Sequence, residues 1–89
     1  MISHTTARFR KAFADLPKEL QEQVRETYKR FKDDPFYPSL RFKRVHSTKP
    51  VYSVRINAAY RAVGIQNANE IIWFWIGSHD DYQKLLSHL

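Results

Sequence analysis

The chain has 89 residues, with 15 lysines and arginines against 9 aspartates and glutamates, and it contains no cysteine. This length supports one hydrophobic core, so we expect a single domain over residues 1–89. The absence of cysteine excludes disulfides, a thiolate nucleophile and a cysteine metal site. The longest apolar run, residues 71–76, is far shorter than the roughly 20 residues that cross a bilayer, and the N-terminus carries no apolar signal segment. We therefore expect a cytoplasmic protein that does not bind membranes.

The first third of the chain has helical periodicity. Ser3, Thr5 and Thr6 are candidate N-caps, and Pro17 suits the boundary between two helices. The two segments predict an antiparallel helical hairpin with one shared apolar side. Its apolar residues are Phe9, Ala12, Phe13 and Leu16 in the first helix and Leu20, Val24, Tyr28 and Phe31 in the second.

From residue 40 onward the apolar residues alternate, which predicts strands. We expect strands at residues 40–46, 51–56, 60–66 and 71–76, with short loops that make neighbouring strands antiparallel. The last strand is apolar on both faces and is therefore expected in the interior of the sheet. Ser78 and Asp81 resemble a capping box, which predicts a final helix from about His79. That helix is expected to bury Tyr82, Leu85 and Leu86.

These elements predict an α+β fold. An N-terminal helical hairpin packs on one face of a roughly four-stranded antiparallel sheet, and a short helix ends the chain. Residues 1–3 leave almost no room for an N-terminal strand, so no further edge strand is expected. The helices are expected to cover one face of the sheet, which leaves the other face free to form a groove. Because Ser53 and Arg55 alternate with Val54, Arg55 should point to the open face, whereas alternation does not decide the direction of Arg61.

The excess positive charge lies in one segment. No aspartate or glutamate occurs between Asp34 and Glu70, and aromatic residues alternate with the cations there. A chance run in a small basic protein is the plain explanation, but the pattern favours a surface for a polyanion such as RNA. The basic residues of this segment are Arg41, Lys43, Arg44, Lys49, Arg55 and Arg61.

The acidic residues do not predict a metal site. Asp33 and Asp34 are adjacent, as are Asp80 and Asp81, and neighbouring side chains in a helix diverge. The four histidines lack the spacing of metal ligands, so we expect no metal and no other cofactor.

Metal-free cleavage of RNA remains possible, because the 2′-hydroxyl of RNA is itself the nucleophile. Such a site needs a group that exchanges protons and cations that stabilise charge on phosphorus. Arg55 and Arg61 are the candidate cations. His79 is the first candidate for proton transfer and His46 the second, although a plain surface histidine explains His79 slightly better. Tyr82 belongs by spacing to an apolar stripe, so core packing is the default and a positioning role is the alternative.

Two segments resemble the RelE/ParE superfamily of toxins from type II toxin–antitoxin systems. They are residues 51–65 (VYSVRINAAYRAVGI) and residues 71–82 (IIWFWIGSHDDY). The resemblance implies that Arg55 and Arg61 are the basic residues of the family's central strands. It also implies that His79 occupies the turn that holds an arginine or histidine in ribosome-dependent members, and that Tyr82 is their late aromatic residue.

The resemblance implies a metal-independent endonuclease that cuts mRNA on the ribosome and is held inactive by a cognate antitoxin. The catalytic residues would be His79, Arg61, Arg55 and Tyr82. The basic residues around them would contact RNA: Arg41, Lys43, Arg44, His46 and Lys49. The alternatives are a ParE-type protein that inhibits DNA gyrase by binding it, and a non-catalytic relative that only binds RNA.

Overall fold

The computed structural model describes residues 1–89 as a five-stranded mixed sheet with helices on both faces. The strand order is β1-β5-β4-β3-β2; β1 runs parallel to β5, and all other neighbours are antiparallel. The elements in chain order are β1 (Ile2–Thr5), α1 (Ala7–Ala14), α2 (Lys18–Asp33), a 3₁₀ turn (Pro38–Leu40), β2 (Lys43–Arg44), β3 (Val51–Arg55), β4 (Tyr60–Asn67), β5 (Glu70–Ser78) and α3 (His79–Ser87).

The predicted α+β class is confirmed, and the helices begin where local capping signals place them. The Thr6 Oγ1 atom accepts a hydrogen bond of 3.1 Å from the Phe9 N–H at the start of α1. At the start of α3 the Ser78 Oγ atom accepts one of 3.2 Å from the Asp81 N–H. Each cap satisfies an N–H group that has no partner within its own helix.

The expectation of a four-stranded sheet without an N-terminal strand was wrong. Residues Ile2–Thr5 form β1, which pairs with β5 in register from Ile2 opposite Glu70 to Thr5 opposite Trp73. The Ile2 N–H also donates to the Asn69 carbonyl oxygen at 2.9 Å. A four-residue strand carries too few residues for a clear alternation. Its parallel pairing joins residues almost seventy positions apart, which local sequence patterns do not indicate.

The expected strand at residues 40–46 is shorter in the structure. Leu40 ends a 3₁₀ turn and is almost fully buried, and Arg41 has a left-handed backbone (φ 47°, ψ 41°). The strand contains only Lys43–Arg44, and the Val45 N–H donates one further hydrogen bond of 2.8 Å to the Val51 carbonyl oxygen of β3. The sharp turn at Arg41 is needed because Leu40 inserts into the core immediately before the chain joins the edge of the sheet.

The main core lies between the helical hairpin and one face of the sheet. Phe31 of α2 stands edge-on to Trp73 of β5, with ring centroids 5.3 Å apart, and to Phe42, at 5.0 Å. Such aromatic contacts add to the hydrophobic gain from burial. The remaining buried members of this core are Phe9, Val24, Leu40, Val54, Ala62, Ile71 and Ile76.

The third helix packs on the opposite face, so the expectation that all helices cover one face was wrong. Tyr82 of α3 is buried against Val51 and Val63, and Leu85 and Leu86 are only partly buried there. A β-bulge lies between β4 and β5 at Val63/Gly64. Because α3 is short, it covers only part of this face and leaves a cavity beside its first turn. No helix in the chain has both the length and the apolar character required to cross a membrane.

Candidate active site

A cavity of about 190 Å³ lies where the central strands meet the start of α3. The alternation of β3 directs Ser53 and Arg55 to this face of the sheet, as predicted for Arg55. Seven residues line the cavity: Arg41, Lys43, Ser53, Arg55, Arg61, His79 and Tyr82.

Two arginines face each other across the neighbouring strands. Arg55 of β3 is the direct partner of Arg61 of β4 in the antiparallel register. Desolvation by burial, followed by the positive charges of Arg55 and Arg41, lowers the pKa of Arg61, with an opposing contribution from Tyr82. An arginine nevertheless remains protonated near neutral pH. Two cations held side by side therefore create a strongly positive site that an anion would neutralise.

The Arg61 side chain is held in place by the β3–β4 turn. Its Nη1 atom donates to the Asn57 carbonyl oxygen at 2.6 Å and to the Tyr60 carbonyl oxygen at 2.9 Å. The Arg55 Nε atom is buried and has no hydrogen-bond partner within the chain. A buried donor without an acceptor is uncommon in folded proteins. This unpaired donor belongs to a residue that lines the cavity.

His79 is the first residue of α3, directly after the Ser78 cap. Its backbone N–H donates to the Ala59 carbonyl oxygen at 2.7 Å, which ties the helix start to the β3–β4 turn that also holds Arg61. The imidazole ring is partly exposed, and no side-chain hydrogen bond within the chain engages it. Sequence alternation left open whether Arg61 and His79 approach each other, and in the structure both line the same cavity.

Tyr82 is both a core residue and part of the cavity wall. Its ring lies one helical turn from His79, with centroids 5.7 Å apart, and packs against Trp75 at 6.5 Å. The hydroxyl group donates to the Ser53 Oγ atom at 3.1 Å within the protein. The ring of Tyr82 is therefore buried in the core while its hydroxyl side reaches the cavity, and a positioning role in the site stays a prediction.

The remaining basic residues divide into two groups. Arg41 and Lys43 line the cavity, whereas Arg44 at the end of β2 and His46 and Lys49 in the β2–β3 turn lie outside it. Arg44 Nε donates to the carbonyl oxygens of His46 and Lys49, at 3.1 and 3.2 Å. The His46 Nδ1 atom accepts from the backbone N–H groups of Thr48 and Lys49, at 3.1 and 2.9 Å. The side chains of Arg44 and His46 hold the turn, and a contact with RNA remains a prediction for Arg44, His46 and Lys49.

Ser53 is the site residue that the sequence analysis did not select. It is the buried polar residue of the molecule, with 2% of its surface exposed, at the centre of an otherwise apolar strand. Its alternation with Val54 placed it on the same face as Arg55, and that signal was available. A lone serine in a strand has no distinctive spacing, however, and its partner Tyr82 lies 29 residues away.

The composition of the cavity limits its chemistry. The lining contains three arginines, a lysine, a histidine and two hydroxyl groups, and no carboxylate. Nowhere in the chain do three His, Asp or Glu side chains come together as a metal site requires. The cavity can bind an oxyanion through its cations and hydroxyls, and it can exchange a proton at His79.

Comparison with known proteins agrees with this architecture. Residues 18–84 match the family described as the ParE-like toxin domain. No curated protein sequence matches the chain significantly.

Solved structures similar to this one are toxins of the same general fold. A chain of the archaeal RelE–RelB complex from Pyrococcus horikoshii OT3 has a TM-score of 0.70 at 17% identity, covering 86% of this chain and 92% of that one. The RelB–RelE antitoxin–toxin complex from Methanococcus jannaschii gives 0.73 at 13% identity, with coverages of 92% and 96%. The YoeB/ParE toxin from Agrobacterium tumefaciens gives 0.68 at 15% identity, with coverages of 89% and 99%. The chain belongs to the ParE-like toxin domain family and has the fold of the RelE and YoeB toxins of toxin–antitoxin systems.

Proposed function

We propose that this toxin is a metal-independent endoribonuclease that cuts mRNA on the ribosome in the cytoplasm. One observation carries the proposal: His79 lies on the same cavity wall as Arg55 and Arg61, and the lining contains no carboxylate. A gyrase inhibitor that acts by surface contact needs no such combination. The segment that carries all the excess charge of the chain supplies five of the seven lining residues, and four of these five are basic.

The proposed cleavage uses only groups of the protein and of the RNA and requires no metal ion or cofactor. The 2′-hydroxyl oxygen attacks the adjacent phosphorus, the bond to the 5′-oxygen breaks, and a proton moves from the 2′-oxygen to the leaving oxygen. His79 is the group in the cavity suited to exchange that proton near neutral pH. Arg55 and Arg61 stabilise the negative charge that grows on the phosphoryl oxygens. Tyr82 lies beneath these residues and forms part of the floor of the cavity.

Dependence on the ribosome follows from the incomplete set of proton-transfer groups. The cavity offers one imidazole, whereas efficient cleavage needs both a base and an acid. A ribosome that holds the mRNA in a strained, correctly oriented conformation would lower the barrier that remains. We therefore propose that free RNA is a poor substrate.

We also propose that a cognate antitoxin binds the groove between α1 and α2. The RelE chains of the similar archaeal structures are bound to RelB antitoxins. Here a groove of about 420 Å³ has an apolar floor that includes Phe9, Phe13 and Val24 and a rim with Arg10, Arg25 and Lys29. This combination fits an acidic amphipathic helix. Replacing Arg25 and Lys29 by glutamate should weaken binding of the proposed cognate antitoxin, whereas Lys18→Glu, outside the groove, should not.

Primer extension on a reporter mRNA in a reconstituted translation reaction tests the proposed activity. Cuts that follow the reading frame are expected only with ribosomes present. His79→Ala should reduce cleavage about 100-fold or more, because it removes the proton-transfer group. His88→Ala is the matched control, since His88 is exposed at the other end of α3. Undiminished cleavage by a folded His79→Ala protein would contradict the assignment.

DNA gyrase is the second candidate target, because the match to a ParE-like toxin domain fits the ParE-type alternative expected from the sequence. A ParE-type inhibitor should block supercoiling by purified gyrase and should keep that effect in His79→Ala. Growth arrest by a gyrase inhibitor also stops DNA synthesis before protein synthesis. A relative that only binds RNA would leave both the mRNA and gyrase activity unchanged.

A further inference from the structure

The floor of the basic cavity holds a pair of buried hydroxyl groups. Tyr82 Oη and Ser53 Oγ lie 3.1 Å apart, and neither hydroxyl makes another hydrogen bond within the chain. Two hydroxyl groups carry two protons, and a single bond between them uses one. The pair therefore has one donor left, at a position where both residues line the cavity.

The chemistry of the two hydroxyls decides which proton is free. A phenol is more acidic than an aliphatic alcohol, so it is the better donor, and the serine oxygen is the better acceptor. Tyr82 thus donates to Ser53, as the geometry of the bond also allows. The free proton is then that of Ser53, whose side chain is almost completely withdrawn from solvent.

A second unsatisfied donor lies on the same strand and the same face. The Nε atom of Arg55 is buried without a partner, two residues from Ser53. Donors without acceptors are costly inside a protein, and here they occur beside several cations and no carboxylate. A ligand that accepts hydrogen bonds from these donors and neutralises the cations must carry several acceptor oxygens and negative charge.

We propose that Ser53 is a phosphate-binding residue, whose hydroxyl donates to a phosphoryl oxygen of the substrate while Tyr82 fixes its orientation. The inference rests on the proposed function for the identity of the substrate, an RNA phosphate. Arg55 contributes a neighbouring donor through Nε, so the two residues of β3 bind the same anion. Tyr82 in this arrangement is a positioning residue, because it acts through Ser53.

Calorimetric titration of the full-length protein with inorganic phosphate tests this role without ribosomes. Ser53→Ala and Ser53→Cys should each weaken phosphate binding about tenfold, as expected for a hydrogen bond to a charged group. The thiol of the cysteine variant nearly preserves the side-chain volume but is a poor donor, so it keeps the test valid if the alanine variant does not fold. Tyr82→Phe should stay within about threefold of wild type, because Ser53 retains its own proton. Ser87→Ala is the control, since Ser87 is exposed and donates to the Lys84 carbonyl oxygen.

The outcomes separate the proposal from the proposed enzyme activity. Wild-type phosphate binding in the two Ser53 variants would overturn the inference, and so would a wild-type protein that binds no phosphate. A Tyr82→Phe loss as large as that of Ser53→Ala would also overturn it, because the free proton would then belong to Tyr82. Absence of mRNA cleavage combined with the predicted phosphate affinities would reject the proposed function and leave the role of Ser53 as an anion-binding residue intact.

Discussion

The two faces of the sheet differ in what they bury. The face under the helical hairpin buries a continuous apolar core around Phe31 and Trp73. The face under α3 buries a smaller cluster around Val63 and then opens into a cavity lined mainly by cations. Because side chains alternate along a strand, the same strands serve both faces. The difference shows that one face supplies the stability that allows the other to hold repelling charges.

The largest effect on stability is expected on the hairpin face. Trp73→Ala removes a ring that contacts Phe31 and Phe42 and should lower the free energy of unfolding by about 3–5 kcal/mol. Urea denaturation followed by circular dichroism measures the change. Phe36→Ala is the control, because Phe36 is 77% exposed and its loss should change stability by no more than about 0.5 kcal/mol. Equal losses in the two variants would contradict the division between the faces.

On the cavity face, a substitution should reduce the cleavage activity far more than the stability. Arg61→Gln should reduce ribosome-dependent cleavage about 100-fold, because it removes a charge that stabilises the transition state. The unfolding free energy should change by no more than about 1 kcal/mol, since lost hydrogen bonds to the turn are offset by relief of the repulsion from Arg55. Primer extension measures the cleavage, and urea denaturation of the same preparation measures the unfolding free energy. A destabilisation as large as that of Trp73→Ala would make Arg61 a structural residue instead.

The two helix caps offer a matched comparison of the faces. Thr6→Ala and Ser78→Ala each remove one capping hydrogen bond, and each should cost about 1 kcal/mol. Only Ser78→Ala should also reduce cleavage, because the Ser78 cap sets the first turn of α3 and with it His79. Thermal denaturation and primer extension distinguish the variants. Equal cleavage by the two proteins would show that the position of His79 does not depend on its cap.

The smallest effect concerns backbone strain. Arg41 and Ala68 are the non-glycine residues with positive φ, at 47° and 53°. Replacing either by glycine should stabilise the fold by roughly 0.5 kcal/mol, the balance between relief of strain and the larger entropy of unfolded glycine. Arg41→Gly should weaken phosphate binding because Arg41 lines the cavity, whereas Ala68→Gly should not. Unchanged phosphate affinity in Arg41→Gly would show that Arg41 does not take part in phosphate binding.

The helices and their caps could be predicted because the signals are local. Thr6 and Ser78 lie within three residues of the N–H groups that they cap, and the apolar stripe of α2 repeats every turn. The strand β1 could not be predicted in the same way. Its four residues are held by a parallel partner at the far end of the chain, and the stability of that pairing depends on the rest of the sheet.

The candidate site was predicted only in part. Alternation along β3 correctly directed Arg55 to the face opposite Val54, because that rule needs no partner strand. The direction of Arg61 depended on its register with Arg55 and Gly77 and on the bulge after Val63, which are properties of the assembled sheet. The basic segment was identified from charge alone. Charge could not separate Lys43, which lines the cavity, from Arg44, which holds a turn.

The sequence by itself determined the elements that depend on near neighbours: the helical hairpin, the capped last helix, the alternating strands and the concentration of positive charge. Only the tertiary structure decided that α3 crosses to the second face, that His79 joins Arg55 and Arg61, and that Tyr82 donates to Ser53. The physical reason is the range of the interactions. Helix periodicity and capping act over three or four residues, whereas a cavity forms where strand register and helix packing bring distant residues together.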